Sequence, residues 1–221
     1  MAISYLGRVT AMISKQIQLT KEVTIHESSH LSNVTFEDYN EIGIFNFIEN
    51  SHFGSFSYTG QFCFIQNAQI GKFSNIAACV RIGPTDHPMQ RPTLHHFTYR
   101  PSMYGFGEEN EKYFFLHREK RITYVGHDTW IGHGAIIMPE VKLGHGSVVG
   151  SGAIVTKDLP SYAIAVGVPA RIVGYRFEEK IVEKLLDIAW WDWDTDLFKD
   201  RYLDFRLPIE AFIEKYEGKG K

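Results

Sequence analysis

In residues 125–158, VGHDTWIGHGAIIMPEVKLGHGSVVGSGAIVTKD, an aliphatic side chain returns every six positions: Val125, Ile131, Ile137, Leu143, Val149 and Val155. Neither the 3.6-residue period of a helix nor the alternation of an ordinary strand gives that spacing. Gly126, Gly132, Gly144 or Gly150 follows in four of the six cases, and Thr129, Ala135, Val141, Ser147 and Ala153 stand four places on. This is a hexapeptide repeat, which predicts a parallel β-helix. Each hexapeptide is a short strand and a corner, and three make one triangular coil. The aliphatic residue points inward and stacks on its equivalent about 4.8 Å away, the spacing of paired strands. The glycine is expected at the corner, where it permits backbone angles closed to other residues. One coil cannot bury its own face, so the coils must stack.

The period is already present at Phe53, Thr59 and Ile65 and at Ile70, Ile76 and Ile82, with a less regular turn at Ile42 and Ile48. It vanishes over about residues 83–122, a stretch holding tyrosines, phenylalanines and four histidines. Inserts of more than roughly 15 residues are usually functional or disordered, and this one is too aromatic for disorder. It is expected to pack and build a site. The period ends for good after GVPARIVGY. Ile181, Leu185 and Ile188 then mark a helix, AWWDWD follows, and Pro208 opens a second helix. The domain reading is a coil over 1–176 with its insert, then a helical extension over 177–221, expected to cap the exposed edge of the stack.

Composition excludes several classes of function. Twelve acids stand against six bases between Phe177 and Glu217, while the charges before them are scattered, so no basic stripe marks a nucleic-acid binder. No apolar run is long enough to span a membrane, and MAISYLGRVT lacks the pattern of a signal peptide. Two cysteines, Cys63 and Cys79, make no disulfide framework, which points to the cytoplasm.

The repeat, together with GVPARIVG and WWDWD, resembles the hexapeptide-repeat acyltransferases built on a left-handed parallel β-helix. Within them it looks closest to the xenobiotic acetyltransferase branch, and DHPMQRPTLHHFTYR is similar to acetyltransferase-like proteins of phosphonate-utilisation operons. The resemblance implies an all-β coil with a long loop and a helical tail. It implies a homotrimer with sites between subunits, acetyl-CoA as donor and a hydroxyl or amine of a small molecule as acceptor, with no metal. It places the general base at His87, early in the loop in GPTDHP. A histidine is the side chain suited to take the acceptor's proton at neutral pH. His95 and His96 are rivals within the loop, expected to pack or to touch the acceptor; Asp86 reads as a turn residue and His117 as solvated.

By the same resemblance the pantetheine arm of CoA passes the residues two beyond the inward aliphatic. These are His133 and Ser151, which the coil arithmetic independently puts on one face. Thr156 and Lys157 match a Thr-Lys pair near the nucleotide, and Arg171 an arginine that meets the phosphates. Trp130 falls where a corner is expected and is a cofactor-side candidate; Trp190, Trp191 and Trp193 read as packing. His127 and His145 should stack on one another and be exposed. Two stacked imidazoles prompt a rival reading, a metal-dependent enzyme like the β-helix carbonic anhydrases, although catalytic zinc usually takes three protein ligands. A non-catalytic scaffold and a transferase dependent on acyl carrier protein are further alternatives.

Overall fold

The computed structural model describes residues 18–218, so the N-terminal stretch MAISYLGRVT lies outside them. Short parallel strands wind into stacked coils with three walls. The inward column of the first wall is Ile42, Thr59, Ile76, Ile131, Val149 and Ala165; that of the second is Ile48, Ile65, Ile82, Ile137 and Val155; that of the third is Phe53, Ile70, Val125, Leu143 and Leu159. All are buried. Each large aliphatic withdrawn from water contributes about 1.5–3 kcal/mol, and neighbouring coils share that benefit.

The coils come in two lengths. Early partners are 17 residues apart, such as Tyr58 with Asn75, whereas late ones are 18 apart, such as Trp130 with Val148. The missing residue lies on the side from Ile48 to Phe53, which only five steps separate. There the strand Phe47–Phe53 runs straight round a corner and pairs with both Phe64–Gln66 and Ala68–Ile70. Asn50 at that corner adopts φ 47°, and Asn33 and Asn67 do the same in the coils on either side. Their amides form a ladder, Asn33 donating to Asn50 and Asn50 to Asn67.

The glycines after the aliphatic residues have a different cause from the one expected. The left-handed corner angles belong two residues later, at Asp128, Gly134, Glu140, Gly146 and Gly152. At Gly126 it is space that is lacking: a Cβ would lie 2.6 Å from the backbone nitrogen of His145 in the next coil.

The chain is not wholly β, and its sheets are not wholly parallel. Helix α1 (Lys112–Glu119) lies in the insert, and α2 (Glu179–Ile188), α3 (Thr195–Arg201) and α4 (Ile209–Tyr216) form the tail. Strand Arg171–Tyr175 pairs antiparallel with Ala163–Val166 and closes the edge of the first wall. The tail therefore does not cap the stack. It lies along the corner between the third and first walls, where Tyr39, Phe56 and Phe73 form a stacked aromatic column and Phe198 and Trp190 pack on Phe56 and Phe73. A second buried cluster, with Leu185, Trp193, Phe212 and Tyr216, holds the tail helices together.

Candidate active site

The insert leaves the coil after Ile82, at the corner between the second and third walls, and returns at Thr123. Its two ends are clamped. Asp86 near the start pairs with Arg121 near the end, and Arg121 also holds Glu140 of the next corner at 2.9 Å. The Arg118 guanidinium donates to the carbonyl of Asp86 and lies over the rings of Phe114 and Tyr99, 4.5 and 5.0 Å from their centroids. Asn67, at the top of the asparagine ladder, donates to the Arg118 carbonyl at 3.1 Å. The coil thus carries its order into the insert. Asp86 serves this clamp and is not bonded to an imidazole.

His87 sits at the exposed surface of the insert, held through one nitrogen. Its Nδ1 is 2.8 Å from the carbonyl oxygen of Leu94. A carbonyl only accepts, so Nδ1 carries the proton and Nε2 keeps its lone pair. Tyr99, 2 % exposed and stacked on Phe114, backs the ring with its hydroxyl 3.3 Å from the same Nδ1. Tyr99, Arg118 and the Leu94 carbonyl escaped the sequence reading. The insert has no repeat to place them, and Tyr99 is marked only by lying among other aromatics. His96 is bonded to the hydroxyl of Tyr104, and His95 accepts from the Phe97 amide as the cap of a short 3-10 turn, so both pack within the insert. His117 is exposed.

The remaining candidates are exposed and spread over the coil. His133 and Ser151 occupy the corner between the first and second walls in adjacent coils, where the Gly152 amide donates to the His133 carbonyl. Thr156 and Lys157 follow Val155 at the corner from which, coils earlier, the insert departs. Arg171 opens the closing strand; among the described residues its guanidinium bonds the Ala170 carbonyl alone, which leaves most of its donors open. Trp130 is not at a corner. It lies in a strand on the outer face of the first wall, 54 % exposed, because the bend comes three residues after the aliphatic position rather than just before it. Among the described residues no hydrogen bond or ring contact joins any two of these six side chains, or any of them to His87. Cationic and planar groups are thus open to solvent at separate places on one chain: Lys157 at the insert's corner, His133 at another, and Trp130 and Arg171 on strands.

His127 and His145 stack as expected, centroids 4.8 Å apart and planes within 3°. They are not exposed: Trp191 covers both, at 5.5 and 5.0 Å. Each Nδ1 accepts a backbone N–H, from Lys72 at 2.8 Å and from His127 at 3.0 Å, so each neutral ring carries its proton at Nε2. Burial, then the neighbouring His145, pushes His127 down to about 4. Burial lowers His145 as well, against the pull of Asp192. To bind a metal through Nε2, both rings would have to move their proton to Nδ1 and break a backbone bond. Among the described residues no group of three His, Cys, Asp or Glu side chains could hold a metal ion, and no helix is long and apolar enough to cross a membrane.

Comparison with known proteins agrees with the coil. The bacterial transferase hexapeptide family (six repeats) matches residues 122–157. A chloramphenicol acetyltransferase of Escherichia coli is 49% identical over 78 residues, 35% of this chain and 37% of the relative. A probable macrolide acetyltransferase of Lysinibacillus sphaericus is 33% identical over 96 residues, 42% of this chain and 53% of that one. The chain thus spans about a third to a half of the curated relatives it matches. Among solved structures, the N-acyltransferase AntD from Bacillus cereus, in complex with dTDP-4-amino-4,6-dideoxyglucose and coenzyme A, superposes with a TM-score of 0.58. At 20% identity, over 78% of this chain and 90% of that one, it shares the fold. The chain thus carries the bacterial transferase hexapeptide repeat over residues 122–157 and, over about a third of its length or a little more, is similar to chloramphenicol and macrolide acetyltransferases.

Proposed function

We propose that the protein is a cytoplasmic acetyltransferase, moving acetyl from acetyl-CoA to a hydroxyl or amine of a small-molecule acceptor. The observation that carries the proposal is the state of His87: Nδ1 is tied to a carbonyl, and Nε2 is bare on a clamped insert. That is the arrangement a general base needs. His87 takes the acceptor's proton at Nε2 as the acceptor attacks, and gives it to the departing thiolate. Bound acetyl-CoA supplies the thioester carbonyl. Arg171, Lys157 and Thr156 hold its phosphates and nucleotide end, while His133, Ser151 and Trp130 line its arm.

Because His133 and Ser151 lie on a different corner from the insert that carries His87, the site is completed between subunits of a homotrimer. In this reading the coil winds left-handed, residues 1–176 with the insert 83–122 form one unit, and 177–221 a helical extension of it. The kinship with drug acetyltransferases and the sugar nucleotide in the AntD structure support acceptors of antibiotic or aminosugar type. The tautomers of His127 and His145 weigh against the metal-dependent alternative.

Thiol release from acetyl-CoA, measured against a panel of antibiotics, sugar nucleotides and aminophosphonates, tests this. A productive acceptor should release free CoA, and His87→Ala should lower the rate about 10²–10⁴-fold. An unchanged rate in His87→Ala removes the assignment, and no release with any acceptor favours the scaffold.

A further inference from the structure

The left-handed residues along the corner under the tail are Tyr39, Phe56, Phe73, Asp128, Gly146 and Tyr162. The first three stack at 4.7 Å, and the aromatic column then breaks for two rungs before Tyr162. At Gly146 no side chain fits, since a Cβ would lie 2.5 Å from the Tyr162 ring. The Arg176 guanidinium takes that place. It donates to the Gly146 carbonyl at 3.0 Å and to Asp128 Oδ2 at 2.9 Å, 5.2 Å from the Tyr162 ring centroid.

Outside this break opens a cleft of about 470 Å³, between the coil and the tail. Trp190, Phe205, Leu207 and Phe212 wall it, and Asp128 and Tyr162 are at its base. Two polar atoms there are unspent. Among the described residues the Tyr162 hydroxyl, buried on a residue 1 % exposed, has no hydrogen-bond partner. Asp128 bonds Arg176 through Oδ2 and, among the described residues, has no partner at Oδ1, although a glycine would hold its backbone angle at less cost. Concave, mainly apolar cavities of this size with a few convergent polar groups are the usual form of small-molecule sites. None of the seven candidate transfer residues lines it.

We propose that this cleft is a second ligand site, separate from acetyl transfer, for a small uncharged ring compound bearing one hydroxyl, of the phenol or aryl-alcohol class. The aromatic walls suit a ring that continues the broken column. Asp128 and Arg176 neutralise one another, so the base offers hydrogen bonds rather than net charge. Asp128 Oδ1 accepts the ligand's O–H, and the Tyr162 hydroxyl donates to the ligand's oxygen. The ligand bridges coil and tail and so stabilises their contact.

Isothermal titration of the full chain with 4-ethylphenol and with its methyl ether, 4-ethylanisole, tests the site. The phenol should bind saturably, one per chain, and the ether at least about tenfold more weakly, since a site built to bond a hydroxyl rejects the analogue without it. Tyr162→Phe should weaken both probes, since the ether oxygen accepts from that hydroxyl as well, and leave the difference between them. Leu207→Trp, at the exposed rim, should abolish binding while leaving thiol release from acetyl-CoA unchanged. No saturable binding, equal affinity for the two probes, or full binding by Leu207→Trp overturns the proposal. The two probes on the unmodified chain decide the matter even if a variant does not fold.

Discussion

Hydrogen bonds sort the histidines of this chain more sharply than position in the sequence does. His87 donates through Nδ1 and leaves Nε2 bare, whereas His127 and His145 accept through Nδ1 and keep Nε2 protonated. The first arrangement can take a proton; the second is a structural ladder under Trp191. The stacking of the pair was legible from its 18-residue separation, but the cover was not, because Trp191 reaches it from the tail. The pair has a consequence for stability. His127 titrates near 4 when folded and near 6.5 when unfolded, so the unfolded chain binds more protons between those values. Stability is fully present above about pH 6.5 and falls as pH drops toward 4, by roughly 1–3 kcal/mol after allowance for partial solvent access. Urea midpoints followed across that window should show the fall, and His127→Gln should flatten it; an identical slope in the variant would assign the loss elsewhere.

Among the elements, legibility followed the regularity of the repeat. From Val125 to Val155 each side of the triangle spans six residues, and the period reads directly from the sequence. In the early coils one side is five residues long, because an asparagine takes the corner and the strand continues through it. A search for sixes loses step there. The signal that keeps step is a period of 17, visible in Asn33, Asn50 and Asn67 and in Tyr39, Phe56 and Phe73. Asn50 is the middle rung. Asn50→Ala loses both side-chain bonds and keeps an unfavourable φ, which should cost about 1–3 kcal/mol by chemical denaturation. A loss well below 0.5 kcal/mol would mean that the ladder follows the corner rather than fixing it. The insert offered no period at all. Its clamp, made by Asp86, Arg118 and Arg121, could therefore not be read.

At the scale of the whole molecule, the tail went to the side of the coil because that is where the apolar surface lies. The aromatic corner gives Trp190 and Phe198 a place to pack, and the antiparallel strand Arg171–Tyr175 already protects the edge of the first wall. His133 and Ser151 remain on a different corner from the insert that carries His87, so the proposed chemistry requires assembly. Sedimentation equilibrium should give the mass of three 25.4 kDa chains, and a stable monomer active in thiol release would contradict that requirement. The most direct test of the account is a crystal structure of the protein with coenzyme A. It should show the pantetheine arm between two subunits along His133 and Ser151, its phosphates at Arg171 and Lys157, and its sulfur within about 3–4 Å of the neighbouring subunit's His87 Nε2. Coenzyme A bound elsewhere, with its thiol remote from every His87, would contradict the account.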